Sequence, residues 1–229
     1  MTLQNNNINQ QNSFRLSVQL TLSGLSFLVT NTVTKEIDFF SEKTFEQAVS
    51  PGELLLELKS VLNDNSIFNI KFSEINIIYH TRLYTLTPTS LFDESKSSDY
   101  LKFNSKILEN DFIAHDTLQN HDITVIYIPF ININNFLFEK FGDFNYHHST
   151  TLLLENILQD EKNVKLPKIY LNIYSNTFDL VAIKNGKHDQ KGYVFYSDWN
   201  NGLGSSKVSK LKPDTSKQNQ YINNVPLID

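Results

Sequence analysis

The sequence predicts an α/β protein with a mixed sheet, built on a unit that is begun twice. Three observations lead there. From Phe14 to Phe40, Val18, Leu20 and Leu22 alternate with polar residues. A turn follows at Ser23-Gly24, and alternation resumes with Leu25, Phe27 and Val29. Period-two patterning on both sides of a turn marks a half-buried β-hairpin. A second stretch, Lys168 to Lys187, repeats the pattern 151 residues later, with Ile169, Leu171 and Ile173 before the turn and Phe178 and Leu180 after it. Between them, Leu54, Leu55, Leu58, Val61 and Leu62 recur at spacings of three and four, the apolar face of a helix.

Taken in order, residues 1 to 12 are amide-rich and are expected to be disordered. Strands are expected over Phe14 to Leu22, Leu25 to Asn31 and Glu36 to Phe40. Ser50-Pro51-Gly52-Glu53 then starts a helix, because Ser50 can cap, Pro51 suits the first position and Glu53 completes a capping box. Ile75, Ile77, Ile78 and Tyr79 form a near-continuous apolar run, expected of a central strand buried on both faces. Leu83 to Leu86 is a second short strand, stopped by Pro88. Ser90 to Phe103 reads as two short helical turns. Strands follow at Asp111 to Leu118 and Ile123 to Ile128, a helix from Pro129 to Phe141, a strand at Phe144 to His148 and a helix at Thr151 to Gln159. Thus residues 13–159 make a first lobe, 160–167 a linker and 168–198 the start of a second lobe. Residues 199–229, dominated by Gly, Ser, Lys and Asn, are expected to be irregular or disordered. A full second copy would need well over a hundred residues after its hairpin. The expectation is therefore that the chain is a truncated or frame-shifted version of a longer protein, cut near Lys187.

A chain of 229 residues can bury a substantial core, and 40% apolar with 20% charged residues is ordinary for a soluble protein. The net charge of −5 argues against a nucleic-acid partner, which would call for a basic face. With no cysteine, disulfides, thiolate catalysis and cysteine-ligated metals are excluded, and a cytoplasmic setting fits. Neither a secretory signal nor an apolar run of bilayer length occurs.

Mixed sheets flanked by helices and made by duplication are the layout of the ribonuclease-H-like, actin-like ATPase superfamily. The segments Leu22 to Val29, Leu86 to Leu118 and Ile128 to Glu155 resemble a bacterial family of domains of unknown function. That family is in turn similar to actin-like ATPases, especially the PilM-like pilus-assembly proteins and their non-catalytic relatives. The resemblance spans about residues 13 to 187. It implies an actin-like ATPase fold with the first lobe complete and the second truncated.

In active members of that superfamily the first hairpin turn carries an Asp followed by Gly and Ser or Thr, which hold Mg²⁺ and phosphate. Here Ser23, Gly24 and Ser26 are the candidate cofactor-binding residues, but no Asp lies between Gln19 and Ser26. A hydroxyl does not replace a carboxylate as an anionic metal ligand. The turn of the second copy, Tyr174-Ser175-Asn176-Thr177, lacks both Asp and Gly. Structural hairpin turns account for both, since Gly and Ser favour turns on conformational grounds alone. Adjacent His147 and His148 on a strand point to opposite faces and do not chelate one ion together. His115-Asp116 and His121-Asp122 flank a turn and could approach each other, although no nucleophile lies nearby in sequence. Phe136, Phe138, Phe141 and Phe144 are expected mostly in the core rather than on a docking surface. Neither P-loop, dinucleotide nor hydrolase-elbow motifs occur.

The sequence therefore favours a non-catalytic cytoplasmic scaffold or adaptor, with protein partners, no catalytic or metal residues and no cofactor. The competing reading is an ATP-binding phosphotransferase or ATPase using Mg²⁺ between two lobes. A third is an enzyme using His115, Asp116, His121 or Asp122.

Overall fold

The computed structural model describes residues 14–102, 107–108, 110–118, 121–160, 166–173, 177–185, 191–199 and 207–211. The first stretch of elements is β1 (Phe14–Thr21), β2 (Gly24–Asn31), β3 (Ile37–Thr44), α1 (Pro51–Asp64), β4 (Glu74–His80) and β5 (Tyr84–Thr87). Next come α2 (Ser97–Lys102), β6 (Ala114–Thr117), β7 (Thr124–Tyr127), α3 (Ile131–Phe141), β8 (Asn145–His148) and α4 (Ser149–Asp160). Among the described residues that follow are β9 (Lys168–Ile173), β10 (Thr177–Asn185), β11 (Lys191–Trp199) and β12 (Lys207–Leu211). The chain divides into two compact units. One comprises Met1–Tyr84, Ile107–Asp116 and Tyr127–Leu153; the other comprises Thr85–Lys106, Thr117–Ile126 and Leu154–Asp229.

The first unit is organised by a five-stranded sheet in the order β3-β2-β1-β4-β8. β1, β2 and β3 are an antiparallel meander, whereas β4 runs parallel to β1 and β8 parallel to β4. Alternation decides which face is buried. Leu16, Val18 and Leu20 of β1, Leu25, Phe27 and Val29 of β2, and Ile75, Ile77 and Tyr79 of β4 are all buried. So are the Leu54-Leu58-Leu62 stripe of α1 and Ile133 and Leu137 of α3. Each such side chain taken out of water contributes about 1.5–3 kcal/mol. Phe68, in a short 3₁₀ turn, locks onto the rings of Phe27 and Phe39 at centroid distances of 5.2 and 5.4 Å. The helix start at Ser50 is as expected. Ser50 Oγ accepts the Glu53 N–H at 3.3 Å, while the Glu53 carboxylate accepts the Ser50 N–H at 2.8 Å.

Two expectations change here. β4 is not buried on both faces: Ile75, Ile77 and Tyr79 point into the core, while Asn76 and Ile78 are half-exposed on the other side. Only one face of this sheet is fully covered, so a central position in the strand order does not enforce burial on both. The Phe cluster also splits. Ile133 and Leu137 take the core positions of α3, leaving Phe138 58% exposed. Lys59 Nζ sits 4.9 Å from the Phe136 ring centroid, and Phe141 meets Phe72 edge-on. Helical phase decided this: Phe138 directly follows the core residue Leu137 and is turned away from the core.

β5, β6 and β7 form a three-stranded sheet in the order β5-β7-β6, with β7 buried along its whole length.

In the second unit β9 to β12 form an antiparallel sheet in the order β12-β11-β10-β9. Lys207–Leu211, inside the tail expected to be irregular, is a strand paired with β11. Backbone pairing requires no apolar composition, and lysines are common on edge strands. Val181 and Ile183 of β10 are buried, whereas Ile169, Leu171 and Ile173 of β9 are exposed. The turn 174–176, most of the linker and residues 1–12 lie outside the described residues.

Candidate functional site

A polar cluster of the first unit is built where β4 and β8 end and α4 begins. β8 passes into α4 without a connecting residue. The first N–H groups of the helix have no partners within it and need acceptors from nearby side chains. His148 supplies one, its Nδ1 accepting the Thr150 N–H at 3.2 Å. Asp116 of β6 braces the same junction. Its Oδ2 accepts the His148 N–H at 2.8 Å and the Thr151 hydroxyl at 2.7 Å, and its Oδ1 faces His147 Nδ1 and the Tyr127 hydroxyl, each at 3.3 Å. Burial pushes the Asp116 carboxyl up, but the donors from His147, the His148 N–H and Thr151 outweigh it and hold the group below its ordinary range. Tyr127 is pushed up, first by burial and then by the Asp116 charge. A carboxylate at the N-terminus of a helix is further favoured by the helix dipole.

His80, at the end of β4, places Nδ1 2.8 Å from Ser149 Oγ, the first residue of α4. The spacing suits a nucleophile and its base, but burial and then the Arg82 charge hold His80 down at about 4. So weak a base accepts a proton poorly at neutral pH. His147 and His148 have separate partners, as opposite faces of a strand require. Among the described residues no three His, Asp or Glu side chains are placed to hold a metal ion. What the cluster does chemically is anchor the start of α4.

The Ser23, Gly24 and Ser26 turn is the other candidate. Thr21 Oγ1 lies 2.9 Å from Ser23 Oγ and accepts the Ser23 N–H at 3.1 Å. The Leu22 and Ser23 carbonyls accept the N–H groups of Val49 and Phe45 at 2.8 and 2.9 Å. At Gly24 a Cβ would come within 2.6 Å of the Lys43 carbonyl oxygen, so glycine here permits the close approach of β3. Ser26 stands in β2 opposite Gln19 and Glu42. The turn's polar groups thus bond to the surrounding chain.

Of the remaining titratable candidates, Asp122 accepts the N–H and hydroxyl of Ser90 at 2.8 and 3.1 Å. The His121 N–H donates to the Leu118 carbonyl, and His115 is exposed. The approach of Asp116 to His147 and Thr151, 31 and 35 residues away, left no mark in local spacing. The Ser149-Thr150-Thr151 run directly after a strand was the one usable signal, since such residues gather at helix starts.

Residues 3–188 match the family model described as protein of unknown function (DUF3822), and the chain belongs to that family. Among solved structures it is similar to a Bacteroides thetaiotaomicron protein with actin-like ATPase fold and unknown function. The identity is 20% and the TM-score 0.67, over 77% of this chain and 67% of that one. It also matches the cytoplasmic domain of EpsL, an inner membrane component of the type II secretion system of Vibrio cholerae. There the identity is 12% and the TM-score 0.41, over 80% of this chain and 70% of that one. No curated protein matches the chain. The first likeness establishes the fold: this is an actin-like ATPase fold. No helix among the described residues is long and apolar enough to cross a membrane.

Proposed function

We propose, starting from membership of the DUF3822 family and the actin-like ATPase fold, that this protein is a non-catalytic cytoplasmic scaffold or adaptor that works through its surface. The carrying observation is the first hairpin turn. Where catalytic members of the superfamily are expected to present a carboxylate for Mg²⁺, the segment Gln19 to Ser26 has none, and the Thr21 and Ser23 hydroxyls bond to each other. Neutral oxygens alone give a weak site for a small, strongly hydrated cation. Asp116, buried and beside the helix start, already accepts from four donors, which supports a structural role for it.

The test is titration of the full chain with a fluorescent ATP analogue, with and without Mg²⁺, beside a pull-down from the cells that produce it. A scaffold shows no saturable nucleotide binding and recovers a stoichiometric protein partner. Micromolar, Mg²⁺-dependent binding would overturn this reading in favour of an ATP-binding phosphotransferase or ATPase.

A further inference from the structure

His148 is fully buried, and its bonds fix its protonation state. Nε2 lies 3.1 Å from the Thr81 carbonyl oxygen, which can only accept, so Nε2 carries the hydrogen. Nδ1 faces the Thr150 N–H, which can only donate, so Nδ1 is a bare acceptor. A second proton would have to enter at Nδ1, against the N–H that this atom caps. His80 stands beside it, the two rings stacked with centroids 6.5 Å apart, and bonds Ser149. We propose that His148, with His80 stacked against it, forms a proton-sensitive latch: neutral, His148 bonds the Thr81 carbonyl and caps the Thr150 N–H, fastening the first turn of α4, and protonated at Nδ1 it releases that turn.

The surrounding groups determine the sign. Arg82 and the positive end of the α4 dipole disfavour a cation here, and α4 has no acidic residue in its first turn. Tyr84 of β5 and Tyr127 of β7 pack against the His148 ring at 4.4 and 5.3 Å and bring no charge at neutral pH. Asp116 of β6 is the carboxylate that would attract an imidazolium, with His147 of β8 beside it. Its oxygens, however, are directed at His147, Tyr127, Thr151 and the His148 backbone N–H. Burial works in the same direction, holding His80 neutral down to about 4. Proton uptake therefore favours the opened turn.

Hydrogen exchange of the full chain tests the latch, comparing amides of the first α4 turn with those of α3 after correction for intrinsic pH effects. Each histidine that takes a proton only in the open turn should raise its opening constant about 30-fold between about pH 7.5 and about pH 5. Amides of α3 should not follow. In the double variant His80→Gln, His148→Asn the introduced amide carbonyl retains a cap for the Thr150 N–H without titrating, and the pH dependence should vanish. A wild-type α4 turn that tracks α3, or a double variant with undiminished pH dependence, would overturn the proposal. If the variant does not fold, ¹⁵N spectra of the wild-type rings decide. His148 gaining its second proton while the α4 amides stay protected refutes the latch; simultaneous loss of protection supports it.

Discussion

In the first hairpin Val18 and Leu20 are completely buried; 151 residues later, Ile169 and Leu171 are 52% and 51% exposed. The two hairpins share an alternation and bury opposite faces. Among the described side chains of β10, Asp179, Val181 and Ile183 are buried, while Phe178 and Leu180, the counterparts of Phe27 and Val29, are half-exposed. The pairing differs too. Val18 pairs with Phe27 in the first hairpin, whereas Ile169 pairs with Ala182, not with Phe178, in the second. The constant offset thus marks a repeated succession of strands but not a repeated register. Period two tells which side chains share a face; only a covering layer decides whether that face is buried. The first unit supplies such a layer in the α1 and α3 stripes.

Replacing Leu20 and Leu171 by alanine, one at a time, is the sharpest way to break this comparison. Leu20→Ala should cost the first unit about 3 kcal/mol, read as lost amide protection in β1. Leu171→Ala should cost less than about 1 kcal/mol, read from the fluorescence of Trp199, the sole tryptophan, at the end of β11. Equal losses would show that the Leu171 face is covered after all.

Acid should weaken the first unit through His80. Folding holds this histidine neutral to about 4, against about 6.5 in the unfolded chain, so the unfolded state binds more protons in between. Its contribution is complete above about pH 6.5 and is lost as the pH falls toward 4, amounting to about 3 kcal/mol. Urea unfolding of wild type and His80→Gln across that window should converge at the acid end; parallel curves would contradict the assignment.

Gly24→Ala introduces a methyl against the Lys43 carbonyl, a backbone atom that cannot swing aside. About 2 kcal/mol of destabilisation is expected by chemical denaturation. An unperturbed variant would show that β3 yields easily and that the close approach at Gly24 is not what distinguishes the first hairpin. Smallest is Ser50→Ala, which removes the α1 cap and should cost about 1 kcal/mol, with exchange faster in the first turn of α1.

The legible parts of the fold were those set by local chemistry. The capping box at Ser50 and Glu53 placed the start of α1, and alternation placed β1 and β2. Burial was harder to read. Ile78 and Phe138 are apolar yet lie off the covered face, and the Ile169-Leu171-Ile173 row has the same pattern as a core strand. The missing carboxylate at the Ser23-Gly24 turn was visible in the sequence. The Asp116 cluster was not, because its partners meet only after β6, β8 and α4 are assembled.

Every pairing in the final four-stranded sheet joins strands consecutive in sequence, whereas β1 must find Glu74 opposite Arg15, and β4 must find Asn145 opposite Asn76. Closing such long intervals is slow compared with zipping a meander. During synthesis, the five-stranded sheet must therefore wait until β8 has left the ribosome. Until then the aliphatic rows of β1 and β2 are without their complete sheet, and a nascent chain stalled before β8 should be a good client for chaperones.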